Sequence, residues 1–143
     1  MYVTPNHIKE LKDNEIFVFG SNRQGRHGKG AALTARNKFG AIYGQSEWLQ
    51  GRSYAIITKE LRKEYQPVSL GEIKLGVDTF IQFAKDNKHL TFYVVELGCN
   101  LAYFTVEEIA PLFKSARKLR NIYLPQRFID NLQTGFTIWT KNN

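Results

Sequence analysis

Between Ile16 and Phe39 the chain passes from an apolar run, Ile16-Phe17-Val18-Phe19, through Gly20-Ser21-Asn22 and a loop from Arg23 to Lys29. A helix-compatible segment then opens near Gly28. A buried strand that turns through glycines into a helix constrains what can sit at the turn. The orphan N–H groups at the helix start, and the positive end of its dipole, face whatever rests on the loop, so the unit is an anion site. Gly25, Gly28 and Gly30 permit positive φ and close approach of a ligand to the backbone. Arg23, Arg26, His27 and Lys29 set cationic groups beside the same cradle. The stretch reads as a pocket for a phosphate-bearing small molecule.

The rest of the chain alternates strand and helix patterns. Residues 2–4 suggest an edge strand and 5–12 a short helix; 16–19 form a buried strand and about 29–39 a helix ended by Gly40. Residues 41–52 read as loop and Tyr54-Ala55-Ile56-Ile57 as a second buried strand, followed by an exposed, charged loop from Thr58 to Pro67 that is placed to border a site. Ser69 with Glu72, and Thr105 with Glu108, are capping boxes that start helices over 70–87 and 106–118. Leu90 to Leu97 is a third strand and 121–124 a fourth; Pro125 opens a short helix over about 126–132, and Phe136 to Trp139 suggests a last edge strand. Continuous apolar strands between helices predict an α/β fold: a three-layer α/β/α sandwich on a mostly parallel sheet. Ligands of such sheets lie outside the carboxyl ends of the strands, which is where the 20–30 and 98–104 loops must meet.

Neither repeats nor linkers interrupt the 143 residues, which read as one domain. A formal net charge of +7 implies attraction to anions without choosing among nucleotides, nucleic acid and membrane surfaces. The single cysteine, Cys99, excludes an intrachain disulfide and a cysteine-based zinc site. With no apolar run of membrane-spanning length and no signal-peptide pattern at Met1-Tyr2-Val3-Thr4-Pro5, a cytoplasmic protein is expected. Nothing in the pattern calls for a cofactor or a metal.

The loop Gly25-Arg26-His27-Gly28-Lys29-Gly30 is not a P-loop, because Gly30 follows Lys29 where Ser or Thr is required. It also lacks the glycine spacing of a dinucleotide fingerprint. Asn22 suits either a ribose hydroxyl or attacking water, or simply an Asx turn at the strand end. His27 is a candidate acid or base, or a neutral phosphate donor, or a solvated loop residue. Glu96 ends a strand beside the second loop and is the best-placed carboxylate for base work. Cys99 is a candidate nucleophile at a helix entry, against a buried small residue. Tyr103 and Phe104 are placed either to stack on a ribose or base or to serve as ordinary core, the latter suiting Phe104 better. Lys114, Arg117, Lys118 and Arg120 form a basic cluster suited to nucleic acid or to complementing a helix C-terminus.

Phe17 to Gly40 resembles the first ligand-binding segment of macro domains, the ADP-ribose-binding α/β modules. Asn22 falls on that family's asparagine, with Gly28 and Gly30 in its glycine cluster. Gly98 to Phe113 resembles its second diphosphate loop, and Gly40-Ala41-Ile42-Tyr43-Gly44-Gln45 resembles a small bacterial and phage macro-like group. The chain departs from the pattern at Phe19, at Lys29 in place of the middle glycine, and in lacking a Gly-Asp-Ile segment near the N-terminus. The resemblance implies binding of ADP-ribose or a related NAD-derived nucleotide, free or on an ADP-ribosylated macromolecule, and extends to ADP-ribosyl or ADP-ribose-phosphate hydrolysis. Catalytic roles would then fall to Asn22, His27 and Glu96. Contacts would come from Gly20, Ser21, Asn22, Gly25, Gly28, Lys29 and Gly30 on one loop, and from Gly98, Cys99, Asn100, Leu101, Ala102 and Tyr103 on the other. A non-catalytic nucleotide-sequestering module and a basic nucleic-acid-binding protein are the alternatives.

Overall fold

The structure, a computed structural model, describes residues 1–99, 104–133 and 139. Its elements run β1 (Tyr2–Val3), β2 (Glu15–Asn22), α1 (Gly30–Lys38), β3 (Trp48–Gln50), β4 (Ser53–Lys59), α2 (Leu70–Asp86), β5 (Thr91–Val94), α3 (Val106–Ile109), β6 (Ile122–Leu124) and α4 (Gln126–Leu132). A 3₁₀ helix over Ala110–Lys118 follows α3 directly. The strands form one sheet in the order β1-β6-β5-β2-β4-β3, parallel throughout except for the antiparallel edge strand β3.

Side chains alternate across a strand, so each strand feeds two cores. Ile16, Val18, Tyr54, Ile56, Phe92, Val94 and Ile122 face α2, α3, α4 and the 3₁₀ helix, where Phe80, Phe113 and Phe128 are fully buried. Phe17, Phe19, Ala55, Tyr93 and Tyr123 face α1, which offers Ala32, Ala35 and Phe39. The fold is therefore an α/β/α sandwich with one thin layer. Small alanines on α1 let that helix sit close over the central strand β2, and this closeness sets the height of its N-terminus above the sheet edge.

Three expectations change. Residues 5–12 are not helical. That segment offers only Ile8 and Leu11 to the core, and side chains take up its backbone: Arg52 Nη1 donates to the Leu11 carbonyl at 2.8 Å, and Glu15 Oε1 accepts from the Lys12 N–H at 2.7 Å. Within 41–52 lies β3, a three-residue strand that returns into β4 around Gly51. The helix over 106–118 is one α turn followed by 3₁₀ geometry. Pro111 has no N–H to give to the carbonyl four residues back, and its ring crowds that turn. Of the suggested strand 136–139, all but Trp139 lies outside the described residues. Both capping boxes form, with the Ser69 and Thr105 hydroxyls accepting from the Glu72 and Glu108 N–H groups.

Candidate functional site

A cleft of about 510 Å³ opens at the carboxyl ends of β2, β4 and β5. The 20–32 segment forms one wall and the 95–99 segment the other, with Thr58, Lys59 and Leu61 completing it. The two chain reversals thus meet at one space. Gly20 makes this possible: a Cβ there would stand 2.9 Å from Thr58 Oγ1 and 3.2 Å from the Leu97 Cβ. Any larger residue would push apart the strand ends that form the floor.

The start of α1 is the chief polar feature of the first wall. Lys29 occupies the N-cap position and gives no side-chain hydrogen bond to the helix, and the first turn holds no acid. Gly28, Lys29, Gly30, Ala31 and Ala32 all line the cleft. A helix start without a side-chain cap keeps its first N–H groups available to an anion. Asn22 serves its local role: Oδ1 accepts from the Arg26 N–H at 3.0 Å, closing the loop, while the Gly25 N–H donates to the Asn22 carbonyl at 2.9 Å. That arrangement sends the Arg26 side chain to the cleft wall.

Two residues of this loop turn elsewhere. His27 is fully buried; its ring meets Phe19 edge-on at 5.2 Å between centroids, and Nε2 lies 3.0 Å from the Gln45 carbonyl. A carbonyl only accepts, so Nε2 carries the proton, and Nδ1 is left buried without a partner among the described residues. The imidazole braces the loop from inside the core, which corrects its expected place as an acid or base in the pocket. Gly25 packs against the backbone of Gly44 and Gln45 and does not line the cleft. Positive φ falls on Gly25, His27 and Gly30, not on Gly28. Ser21 reaches the wall, but its hydroxyl donates to the Ser46 carbonyl and is already committed.

On the second wall, Glu96 is gripped by Arg127 from the first turn of α4: Nε donates to Oε2 at 2.8 Å and Nη2 to Oε1 at 2.6 Å. The hydrogen bonds from Arg127 hold the Glu96 carboxyl below its ordinary range, the reverse of what a general base near neutrality needs. Cys99 is buried, and that burial, with Glu96 nearby, pushes its thiol up to about 11. It is the small buried residue of the two readings. Gly98, at φ 77°, crosses directly over Ile109. The Phe104 N–H donates to the Gly98 carbonyl at 3.2 Å. Asn100, Leu101, Ala102 and Tyr103 lie outside the described residues.

The charged loop after β4 borders the cleft, in line with its reading from the sequence, but sequence reasoning missed what secures it. Glu60 accepts from Gln24 Nε2 at 2.6 Å, from Arg23 Nη1 at 3.3 Å, and from the Arg62 N–H and guanidinium at 3.0 Å. These donors, Arg62 foremost, pull its carboxyl down to about 2. The network ties the outer loop to the β2 end and so fixes Lys59 and Leu61 beside the cleft. The 59–64 run looks like a solvated charged face in sequence. Only the proximity of Arg23 and Gln24 shows that one of its acids is a hub.

No protein-family model matches the sequence, and no curated protein matches it. Solved structures do. A protein of unknown function from Bacteroides thetaiotaomicron superposes with a TM-score of 0.61 at 14% identity, covering 87% of this chain and 96% of that one. A macrodomain protein from Streptomyces coelicolor superposes with a TM-score of 0.56 at 16% identity, covering 87% and 97%. The chain has a macrodomain fold. At these identities the likeness speaks for the architecture. The chemistry of the cleft rests on its own residues: an uncapped helix start, three cations at Arg26, Lys29 and Lys59, and apolar walls from Ala31, Ala32, Leu61, Val95 and Leu97. Among the described residues no cluster of His, Cys, Asp and Glu is arranged to hold a metal ion, and no helix is long and apolar enough to cross a membrane.

Proposed function

We propose that the cleft binds ADP-ribose or a related NAD-derived nucleotide, with the diphosphate between the start of α1 and the Leu97–Cys99 turn. The observation that carries this reading is that α1 begins without a side-chain cap and lines a cleft shared by both reversals; α2 and α3 begin with complete capping boxes, and the uncapped start of α4 does not line the cleft. Backbone donors and the helix dipole suit a diphosphate, and Arg26, Lys29 and Lys59 add positive charge around it. The cleft's volume falls within the roughly 300–1,000 Å³ usual for small-molecule sites, and its apolar walls suit the faces of a base and a ribose.

Retention of the ligand is favoured over hydrolysis. Glu96 is tied to Arg127, Cys99 is held as a thiol, and His27 faces the core. Asn22 retains its side-chain N–H groups for a ribose hydroxyl, which is a positioning role. A sequestering module that holds a NAD-derived nucleotide is therefore preferred to an ADP-ribosyl hydrolase.

Thermal unfolding with ADP-ribose tests the binding. Ligand at 100 times the dissociation constant adds about 2.7 kcal/mol, or roughly 5–10 °C for a chain of this size. Absence of a shift at millimolar ADP-ribose would overturn the reading. Incubation with an ADP-ribosylated peptide, followed by mass spectrometry for freed ADP-ribose, separates the holder from the hydrolase.

A further inference from the structure

On the far side of β2 from the 95–99 wall, the sheet ends in an incomplete edge. β4 extends to Lys59, but β3 pairs with it only through Trp48↔Ala55, Leu49↔Tyr54 and Gln50↔Ser53. The Phe17 N–H donates to the Arg52 carbonyl, so Arg52, Tyr54 and Ile56 turn their backbones toward β2, while Ser53, Ala55 and Ile57 turn theirs outward. Gln50 and Trp48 meet the first two. Ile57 meets no strand among the described residues.

The chain leaves this edge at Trp48, which adopts φ 74°, a conformation costly for a bulky side chain. Two glutamines hold it there. Gln45 Nε2 donates to the Glu47 and Leu49 carbonyls at 3.1 Å each, and Gln50 Nε2 donates to the Trp48 carbonyl at 3.3 Å. The strain is over-determined by neighbours, and its effect is to leave the place beside Ile57 vacant. A groove of about 380 Å³ lies there, between the β4 edge and α2. Trp48 and Leu75 stand at its sides, 57% and 69% exposed, with Val68 on its floor.

The groove is also charged in a definite way. Arg23 and Glu72, both on its wall, are paired with each other at 2.6 Å. That leaves Glu47, half-buried and with no ion pair among the described residues, beside the Tyr54 phenol. An outward backbone donor and acceptor, an apolar slot and one unbalanced carboxylate together select a particular occupant.

We infer that this groove receives an extended peptide segment of a partner protein, which adds as a strand beside Ile57, seats an apolar residue between Trp48 and Leu75, and sets a lysine or arginine against Glu47. The added strand continues the line of β3 beyond Trp48. Its site is separate from the α1 cleft, and the inference stands whether or not that cleft holds ADP-ribose.

The test is fluorescence anisotropy with a fluorescein-labelled octapeptide of alternating valine and lysine. The controls are an octapeptide of alternating valine and glutamate, and a valine–lysine octapeptide N-methylated on alternate residues. The first should bind, the glutamate and N-methylated forms at least tenfold more weakly. Glu47→Lys and Leu75→Asp, both at the surface, should each weaken binding of the first peptide at least tenfold while circular dichroism melts show the fold retained. Hydrogen exchange at the Ile57 amide should slow tenfold with peptide bound, and saturating ADP-ribose should not displace the peptide. No binding at millimolar peptide, equal binding by the N-methylated form, or indifference to both substitutions would overturn the inference. So would protection of Ile57 that grows with protein concentration alone, which would assign the groove to a second copy of the chain.

Discussion

Arg127 reaches from α4 to Glu96 at the cleft mouth, a bidentate pair formed by residues 31 positions apart. The pair is partly exposed, with 28% of the Glu96 side chain and 60% of the Arg127 side chain accessible. Its worth to stability is therefore at most about 1 kcal/mol. What it governs is the protonation of the one carboxylate on the second wall.

Replacing Arg127 by alanine should let the Glu96 carboxyl rise toward its ordinary value, since the arginine's hydrogen bonds are the first cause of its depression. Carboxyl-carbon NMR titration of wild type and Arg127→Ala reads this directly. An unchanged Glu96 titration would mean that the pair does not persist in solution.

Glu60 gives a second pH dependence. Its folded value, about 2, lies below the ordinary 4.5, so its contribution is present above the unfolded value and is lost as pH falls toward the folded one. Glu60→Gln should therefore be less stable than wild type in urea at pH 7. The gap should narrow between about pH 5 and pH 2, as the wild-type carboxylate itself takes up a proton.

Gly98→Ala should cost about 1–3 kcal/mol, because alanine is strained at φ 77° and its Cβ would stand 2.7 Å from Ile109 Cδ1. Adding Ile109→Val removes that methyl and should recover part of the loss, so the double substitution falls short of additivity in urea unfolding. Strict additivity would show that the crossing is not as tight as the contact distance indicates.

Cys99 should resist alkylation while the protein is folded. With its thiol pushed up to about 11, about one molecule in a thousand carries the thiolate at pH 8, against roughly a quarter for a free cysteine. Iodoacetamide should accordingly label the native chain at least ~100-fold more slowly than the chain in denaturant. Equal rates would place a reactive thiol at the cleft.

Regular elements with a strong pattern were legible in sequence. β2, β4 and β5 follow from apolar runs, α2 from its helical spacing, and both capping boxes from residue type and offset. The convergence of the 20–30 and 98 turns follows from the parallel order of the strands. β3 was not legible, because three residues with two exposed side chains carry no periodicity. Nor was the 3₁₀ helix, since the apolar spacing of Ile109, Ala110, Phe113 and Ala116 fits an α-helix and only Pro111 argues otherwise. Of the candidate catalytic groups, Asn22 and Glu96 reach the cleft but are already bonded to protein partners, while His27 is turned into the core.

The amino-acid order by itself determined the α/β alternation, the position of the glycine-rich turn after β2 and the capping boxes of α2 and α3. These depend on spacing and residue type within a few positions, where local sterics and hydrogen bonding decide. Tertiary structure decided which side chains of the same loop face the cleft. Arg26 lines the cleft and His27 does not, because Gln45 and Phe19 claim the imidazole from distant parts of the chain. It also decided that Glu96 is bound by Arg127 and that β4 keeps an open edge at Ile57. A loop residue's direction is set by the partners that reach it, and those partners are brought close only when the sheet has assembled.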